Sequence, residues 1–179
     1  MQSRKSATRA YRLDVELIEG LNKAATREGV SENSFVQNLL TRRVKADPLI
    51  HAFPSVVISR RTLLSILGST NPDALEMAGL DLGKRNFTLA RELYESVGRE
   101  LGFSEYLGEI LGKEAQWFEV EGAEEKPERL TLRHECGMKW SLFLRSYLSG
   151  AFEMVSHEKI EMTLNDLYVS VKLPSRQHW

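Results

Sequence analysis

The sequence predicts an α+β chain in two parts. A small N-terminal strand–helix–helix module folds only as a dimer, and a larger C-terminal α+β domain follows with a mostly antiparallel sheet. Three observations carry that expectation. The 179 residues suffice for one small and one medium domain. Charge is divided unevenly: residues 1–45 hold nine Lys or Arg against five acids, a net of +4, whereas the remainder holds 15 against 20, a net of −5. The apolar pattern is mainly helical up to about residue 115 and mainly alternating beyond it, apart from one amphipathic helix. The boundaries read as 1–47 for the module, 48–54 for a linker and 55–179 for the second domain.

In the module, Thr8 to Leu13 alternates with period two, placing Thr8, Ala10 and Arg12 on one face and Arg9, Tyr11 and Leu13 on the other. Asp14 is positioned to cap a helix through its carboxylate. Leu17, Ile18, Leu21, Ala24 and Ala25 recur at helical spacing as far as Glu28, and Gly29 supplies the left-handed residue that ends such a helix. Ser31 caps a second helix whose apolar stripe is Phe35, Val36, Leu39, Leu40 and Val44; Asp47-Pro48 closes it.

The stretches Arg12 to Leu21 and Gly29 to Val36, in this order and spacing, resemble the ribbon-helix-helix family of Arc, MetJ and CopG-type repressors. The resemblance covers Lys5 to Lys45, about a quarter of the chain. It implies a dimeric fold in which two strands form an antiparallel ribbon over a shared four-helix core, and double-stranded DNA as partner. By the family's pattern, Thr8, Ala10 and Arg12 face the bases. The physics agrees, since a lone strand cannot satisfy its backbone and some 40 residues bury too little apolar surface to fold alone. A ribbon fits the major groove, where Arg12 can fork onto guanine, Thr8 can donate or accept, and Ala10 can only pack on a thymine methyl. Arg4 and Lys5 beside the strand, with Ser31, Asn33 and Ser34 at the second helix start, face phosphates. Glu32 sits awkwardly among them, and Ala10 limits specificity. The bland alternative is that this face is only a solvated edge.

Composition narrows the rest. Hydrophobic content of 42% and charged content of 27% are those of a globular protein. The single cysteine, Cys136, excludes an intramolecular disulfide and fits a reducing cytosol. No run approaches the ~18 apolar residues of a membrane span, and the N-terminus lacks a signal peptide's apolar core. The expectation is a cytoplasmic protein without membrane contact.

Two prolines in Pro48–Pro54 suggest a stiff connection. The second domain then reads as a buried strand Ser55–Ser59, a brief helix Arg60–Leu67, and a longer helix capped by Asn71 with Pro72 in its first turn, kinked at Gly79 or Gly83. Close helix packing is the better explanation of those two glycines. Ser104–Leu111 suggests one or two helical turns. Gln116–Val120 and Arg129–His134 alternate like strands, Met138 to Val155 is an amphipathic helix, and Lys159–Leu164 with Leu167–Leu173 forms a hairpin around Asn165-Asp166. Helices with four or five mostly antiparallel strands make an α+β domain.

The densest chemically able cluster is His134 to Trp140. His134 and Cys136 are two soft ligands that zinc, iron or haem could take, with His51 or His157 needed to complete a site. Cys136 could instead be a reactive thiol, because helix N-termini lower thiol pKa values. The same residues are more simply read as a buried small cysteine and a hydrogen-bonded strand histidine. The aromatic face from Trp140 to Phe152 lines either core or a small-molecule pocket. The strand–Gly–helix passage is faintly similar to 4-vinyl-reductase-type sensor domains over some 60 residues; it lacks the cysteine-rich motif of that class, and no residue is carried across. Phosphate-binding glycine loops, Gly-x-Ser-x-Gly, His-Glu-x-x-His and Cys-x-x-Cys are missing, so no enzyme is expected. The expected function is a dimeric transcriptional regulator, with dimers able to pair into tetramers and a second domain that senses a small effector or sets oligomeric state. The alternatives are the antitoxin of a toxin–antitoxin pair and a metal-responsive repressor; no cofactor is required.

Overall fold

A computed structural model describes residues 7, 9–41, 58–121 and 129–174. The chain divides into two compact units, Met1–Asp47 and Pro48–Trp179. The expected linker 48–54 lies outside the described residues.

In the first unit, α1 (Val15–Glu28) starts and stops where the apolar pattern does. Gly29 takes φ 68°, and its amide with that of Val30 closes onto Thr26 and Ala25, satisfying the last carbonyls. Asp14 occupies the cap position, but its side chain makes no capping hydrogen bond, which corrects the expected role of its carboxylate. A second helix, α2, runs over residues 32–41. Ser31 does cap it: its Oγ accepts from the Ser34 amide at 3.2 Å. Of the expected strand over 8–13, Thr8 lies outside the described residues and residues 9–13 form no ladder within the chain. Residues 9–14 are neither helical nor paired, because a strand exists only against a neighbour and the unit offers this segment none.

The second unit is a layer of helices on one face of a four-stranded sheet, an α+β arrangement. Its elements are α3 (Arg60–Ser69), α4 (Pro72–Ser96), α5 (Phe103–Glu105) running into a π-helix (Tyr106–Glu114), β1 (Glu119–Glu121), β2 (Arg129–Arg133), α6 (Gly137–Glu153), β3 (Glu161–Leu164) and β4 (Tyr168–Lys172). The strands lie in the order β1-β2-β4-β3, every pair antiparallel. Strict alternation decides the faces. Leu130 and Leu132 on β2 and Val169 and Val171 on β4 point into the core, while Arg129, Arg133, Tyr168 and Lys172 point to solvent.

Several boundaries differ from expectation. Ser59 caps α3, accepting from Thr62, and Ile58 beside it is exposed, so the buried strand expected to reach Ser59 does not; residues 55–57 lie outside the described residues. Helix α4 runs unbroken through Gly79 and Gly83. Those glycines are instead the contact with α6: a Cβ at Gly79 would meet Phe143 O at 2.7 Å, and one at Gly83 would strike the Tyr147 carbonyl. Gly150 answers from α6, where a Cβ would strike the Leu80 carbonyl. The two backbones therefore approach closely enough that only hydrogen fits between them. Strand β1 begins at Glu119 rather than Gln116, whose left-handed φ of 54° breaks the extended run. The hairpin turn is held by Asn165, whose Oδ1 accepts from the amides of Leu167 and Tyr168 at 2.8 and 3.0 Å.

Candidate functional site

Each unit carries a candidate site. In the first, Ala10 and Arg12 are exposed on the segment that leads into α1; Thr8, Arg4 and Lys5 lie outside the described residues. Ser31 and Ser34 share a hydroxyl contact of 2.8 Å at the start of α2, with Asn33 exposed beside them. Glu32, expected to disturb a phosphate contact, turns its carboxylate to Asn22 of α1 at 3.3 Å and so ties the two helices together. That pairing, ten residues apart across a turn, carries no periodicity by which sequence could reveal it.

The apolar residues of this unit are distributed unlike those of a finished domain. Leu13 is 45% exposed, Leu17 50%, Ile18 42%, Leu39 44% and Leu40 54%. Among the described residues of the unit, only Ala25 is buried. Of the stripes read from sequence, Leu21, Ala24, Phe35 and Val36 are partly buried with Ala25 buried, while Leu17, Ile18, Leu39 and Leu40 stay exposed within one chain.

In the second unit, His134, Cys136 and Trp140 do come together around the start of α6, each in a different state. His134 is buried and both ring nitrogens are engaged. Its Nδ1 accepts from the Cys136 amide at 3.2 Å, which requires that nitrogen to be unprotonated. The proton then sits on Nε2, which donates to Ser141 Oγ at 2.9 Å, and the hydroxyl donates onward to the Asn165 carbonyl at 2.5 Å. Burial pushes the imidazole below its ordinary pKa, in keeping with this neutral form. The result is a polar knot joining β2, α6 and the β3–β4 turn. Ser141, fully buried, and Asn165 are members that the sequence reading did not single out, because their partner lies 7 or more residues away on another element.

Cys136 is half-buried, and desolvation raises its thiol pKa; the nearby Arg60 charge opposes the rise without overcoming it. That direction favours the reading of Cys136 as a small, partly buried residue over that of a thiol activated by the helix N-terminus. Among the described residues, no three His, Cys, Asp or Glu side chains gather where a metal ion could be held. His157 is exposed and apart, and His51 lies outside the described residues.

Trp140 belongs to a ring cluster. It stacks on Phe143 at 5.0 Å and meets Trp117 edge-on at 5.5 Å, while Trp117 contacts Tyr147 at 5.0 Å. Trp117 comes from the bend before β1, 23 positions from Trp140, so their meeting is a product of the fold alone. Tyr147 continues inward through a 2.7 Å hydroxyl contact to Tyr106, which packs with Phe87; burial holds both phenols above their usual pKa. Within this cluster the Trp140 indole N–H is buried and unpartnered, the sole such side-chain atom among the described residues. An orphaned donor in an apolar box is costly and marks where an acceptor would be welcomed.

No family model, curated protein or solved structure matches this chain. Among the described residues, no helix is long and apolar enough to cross a membrane.

Proposed function

We propose that the protein is a sequence-specific, dimeric DNA-binding transcriptional regulator acting in the cytoplasm. Residues 1–47 form a ribbon-helix-helix reader, and the second unit senses a small ligand or sets oligomeric state. The observation that carries this reading is the exposed apolar surface of the unit: Leu17 and Ile18 on α1, Leu39 and Leu40 on α2, and Leu13 just before α1 lie exposed on a unit too small to hold a core of its own. A second copy of the same unit covers such a surface on itself, as a two-fold interface requires. The unpaired segment 9–14 of each chain then finds its strand partner. That ribbon presents Ala10 and Arg12, with Thr8 expected beside them, to base edges, and the α2 start with Ser31, Asn33 and Ser34 to phosphate.

For the second unit, the unpartnered Trp140 N–H amid Trp117, Phe143 and Tyr147 favours a ligand-responsive role over a purely architectural one. The antitoxin alternative is less well supported, because residues 58–174 already carry a core of their own rather than the tail such proteins fold on a toxin. The test is an operator selection followed by a gel-shift titration. Arg12→Ala lowers operator affinity by about 1–3 kcal/mol while the protein sediments as an intact dimer. Unchanged binding by Arg12→Ala, or a well-folded monomer at micromolar concentration, overturns the reading.

A further inference from the structure

Helix α3 is the first described element of the second unit, and it is held unlike any other helix there. Of its ten residues only Leu67 is buried, with Leu63 partly so; Leu64 and Ile66 are 40% and 53% exposed. Its neighbour α4 buries Leu75, Phe87 and Ala90 besides the two contact glycines. What fixes α3 is polar and applied at its two ends. At the start, Arg60 pairs with Glu135. At the finish, Lys139 Nζ donates to the carbonyls of Gly68 and Thr70 at 2.7 and 2.8 Å, a cation on the groups that a helix leaves unsatisfied at its C-terminus.

Both anchors sit around the start of α6, Glu135 in the turn before it and Lys139 in its first turn. Glu135 and Lys139 bracket the β2–α6 junction, four positions apart. The junction is itself pinned to the β3–β4 turn by His134 N to Leu167 O at 2.7 Å and Gly137 N to Asp166 O at 3.1 Å. A displacement of the junction therefore moves both ends of α3 together. Arg60 and Glu135 are 61% and 55% exposed, so water screens their pair and leaves the lysine as the stronger anchor. If α3 lifts, the unit loses one buried leucine, while the rings of α4, α6 and the π-helix stay packed on the sheet.

We propose that α3 is a detachable strap, clamped at its two ends by Glu135 and Lys139 around the start of α6, and that its attachment is the regulatory link from the second unit to the DNA-reading unit. The inference rests on the proposed DNA-binding function for its output and on contacts within the second unit for its mechanism. Opening of so weakly buried an element falls at the low end of local stability, where switching elements are found.

Hydrogen exchange on the full-length dimer tests the mechanism. In the wild type, α3 amides exchange faster than those of α4 and α6. Lys139→Met keeps the apolar stem and removes the donor; it speeds α3 exchange about tenfold further, the scale of a charge-assisted hydrogen bond, with α4 and α6 unchanged. Lys139→Arg retains most of the protection, and Arg60→Gln speeds exchange less. Protection of α3 equal to that of α4, or α3 exchange indifferent to Lys139→Met, overturns the strap. The output is read by fluorescence anisotropy with a labelled random-sequence duplex at low salt. Release by Lys139→Met shifts affinity at least about fivefold, a small but typical coupling. Equal affinity of wild type and variant overturns the link. Absence of duplex binding by both proteins instead defeats the DNA-binding reading, while the exchange result still decides the strap.

Discussion

The two units solve the same problem in opposite ways. In the first, apolar residues at helical spacing remain outside, and one alanine is all that is buried among the described residues. In the second, chemically similar residues on α4, α6, β2 and β4 close around one another until Leu132, Leu144, Leu148, Val169 and Val171 lose all contact with water. The difference is one of size and connectivity rather than of composition. A domain of more than 100 residues can fold its own chain back as a cover, whereas two short helices cannot. Within one chain the small unit leaves most of its apolar side chains to solvent, and the large one encloses its own.

That contrast can be broken at its strongest point first. Gly83→Ala places a Cβ against the Tyr147 carbonyl, and backbone on both helices cannot give way as a side chain would. A loss of at least ~3 kcal/mol is expected in urea or thermal unfolding of the second unit, against the modest gain that alanine brings to an ordinary helix. Wild-type stability would mean that α4 and α6 do not approach as described.

Leu17→Ala tests the unfinished unit. Leu17 is 50% exposed in the single chain, where truncation would cost almost nothing. Covered by a second copy it is core, and the cost becomes about 2–4 kcal/mol with a midpoint that depends on protein concentration. Sedimentation and melting at several dilutions separate the two outcomes.

A smaller effect should sharpen the account of the finished unit. His134 is neutral in the fold with its pKa lowered by burial, while the unfolded chain titrates near 6.5. The unfolded state thus binds the extra proton first, so His134's contribution is complete above about pH 6.5 and is lost as pH falls through the lowered folded value. The loss is on the scale of the Cys136 N–H bond to Nδ1, about 1 kcal/mol. Urea midpoints on either side of that pH should converge in His134→Gln; an equal slope in the variant would exclude His134 as the source. The smallest change is Arg91→Ala. Its pairing with Glu95 is 47% and 53% exposed, and stability should move by less than about 0.5 kcal/mol.

Legibility followed the range of the forces. Gly29, Ser31, Asn71 and Asn165 act on amides within a few residues, so their turns and caps could be read from the chain and are found in place. Asp14 shows that position can be legible when the bond is not: the cap site is right, yet the carboxylate is turned elsewhere. Gly79 and Gly83 were ambiguous between a kink and a contact, because only the approach of α6 tells them apart. The candidate sites divide similarly. Arg12 is named by the family resemblance, whereas Ser141, Lys139 and Trp117 gain their meaning from partners on other elements. Between the two readings of Cys136, buried residue or reactive thiol, the choice turns on desolvation that comes from surroundings the local motif does not contain.

Alone, the amino-acid order determined which segments are helices, where most of them stop, how the β3–β4 hairpin turns and which end of the chain is basic. These depend on backbone preferences, capping groups and charges that act between near neighbours. The tertiary structure decided that His134 is locked neutral between an amide and a hydroxyl, that Trp140 keeps an unanswered N–H among rings, and that Glu135 and Lys139 meet the two ends of α3. Burial and long-range hydrogen bonds exist only once distant segments meet, and it is those segments, not their own sequence, that assign each of these groups its state.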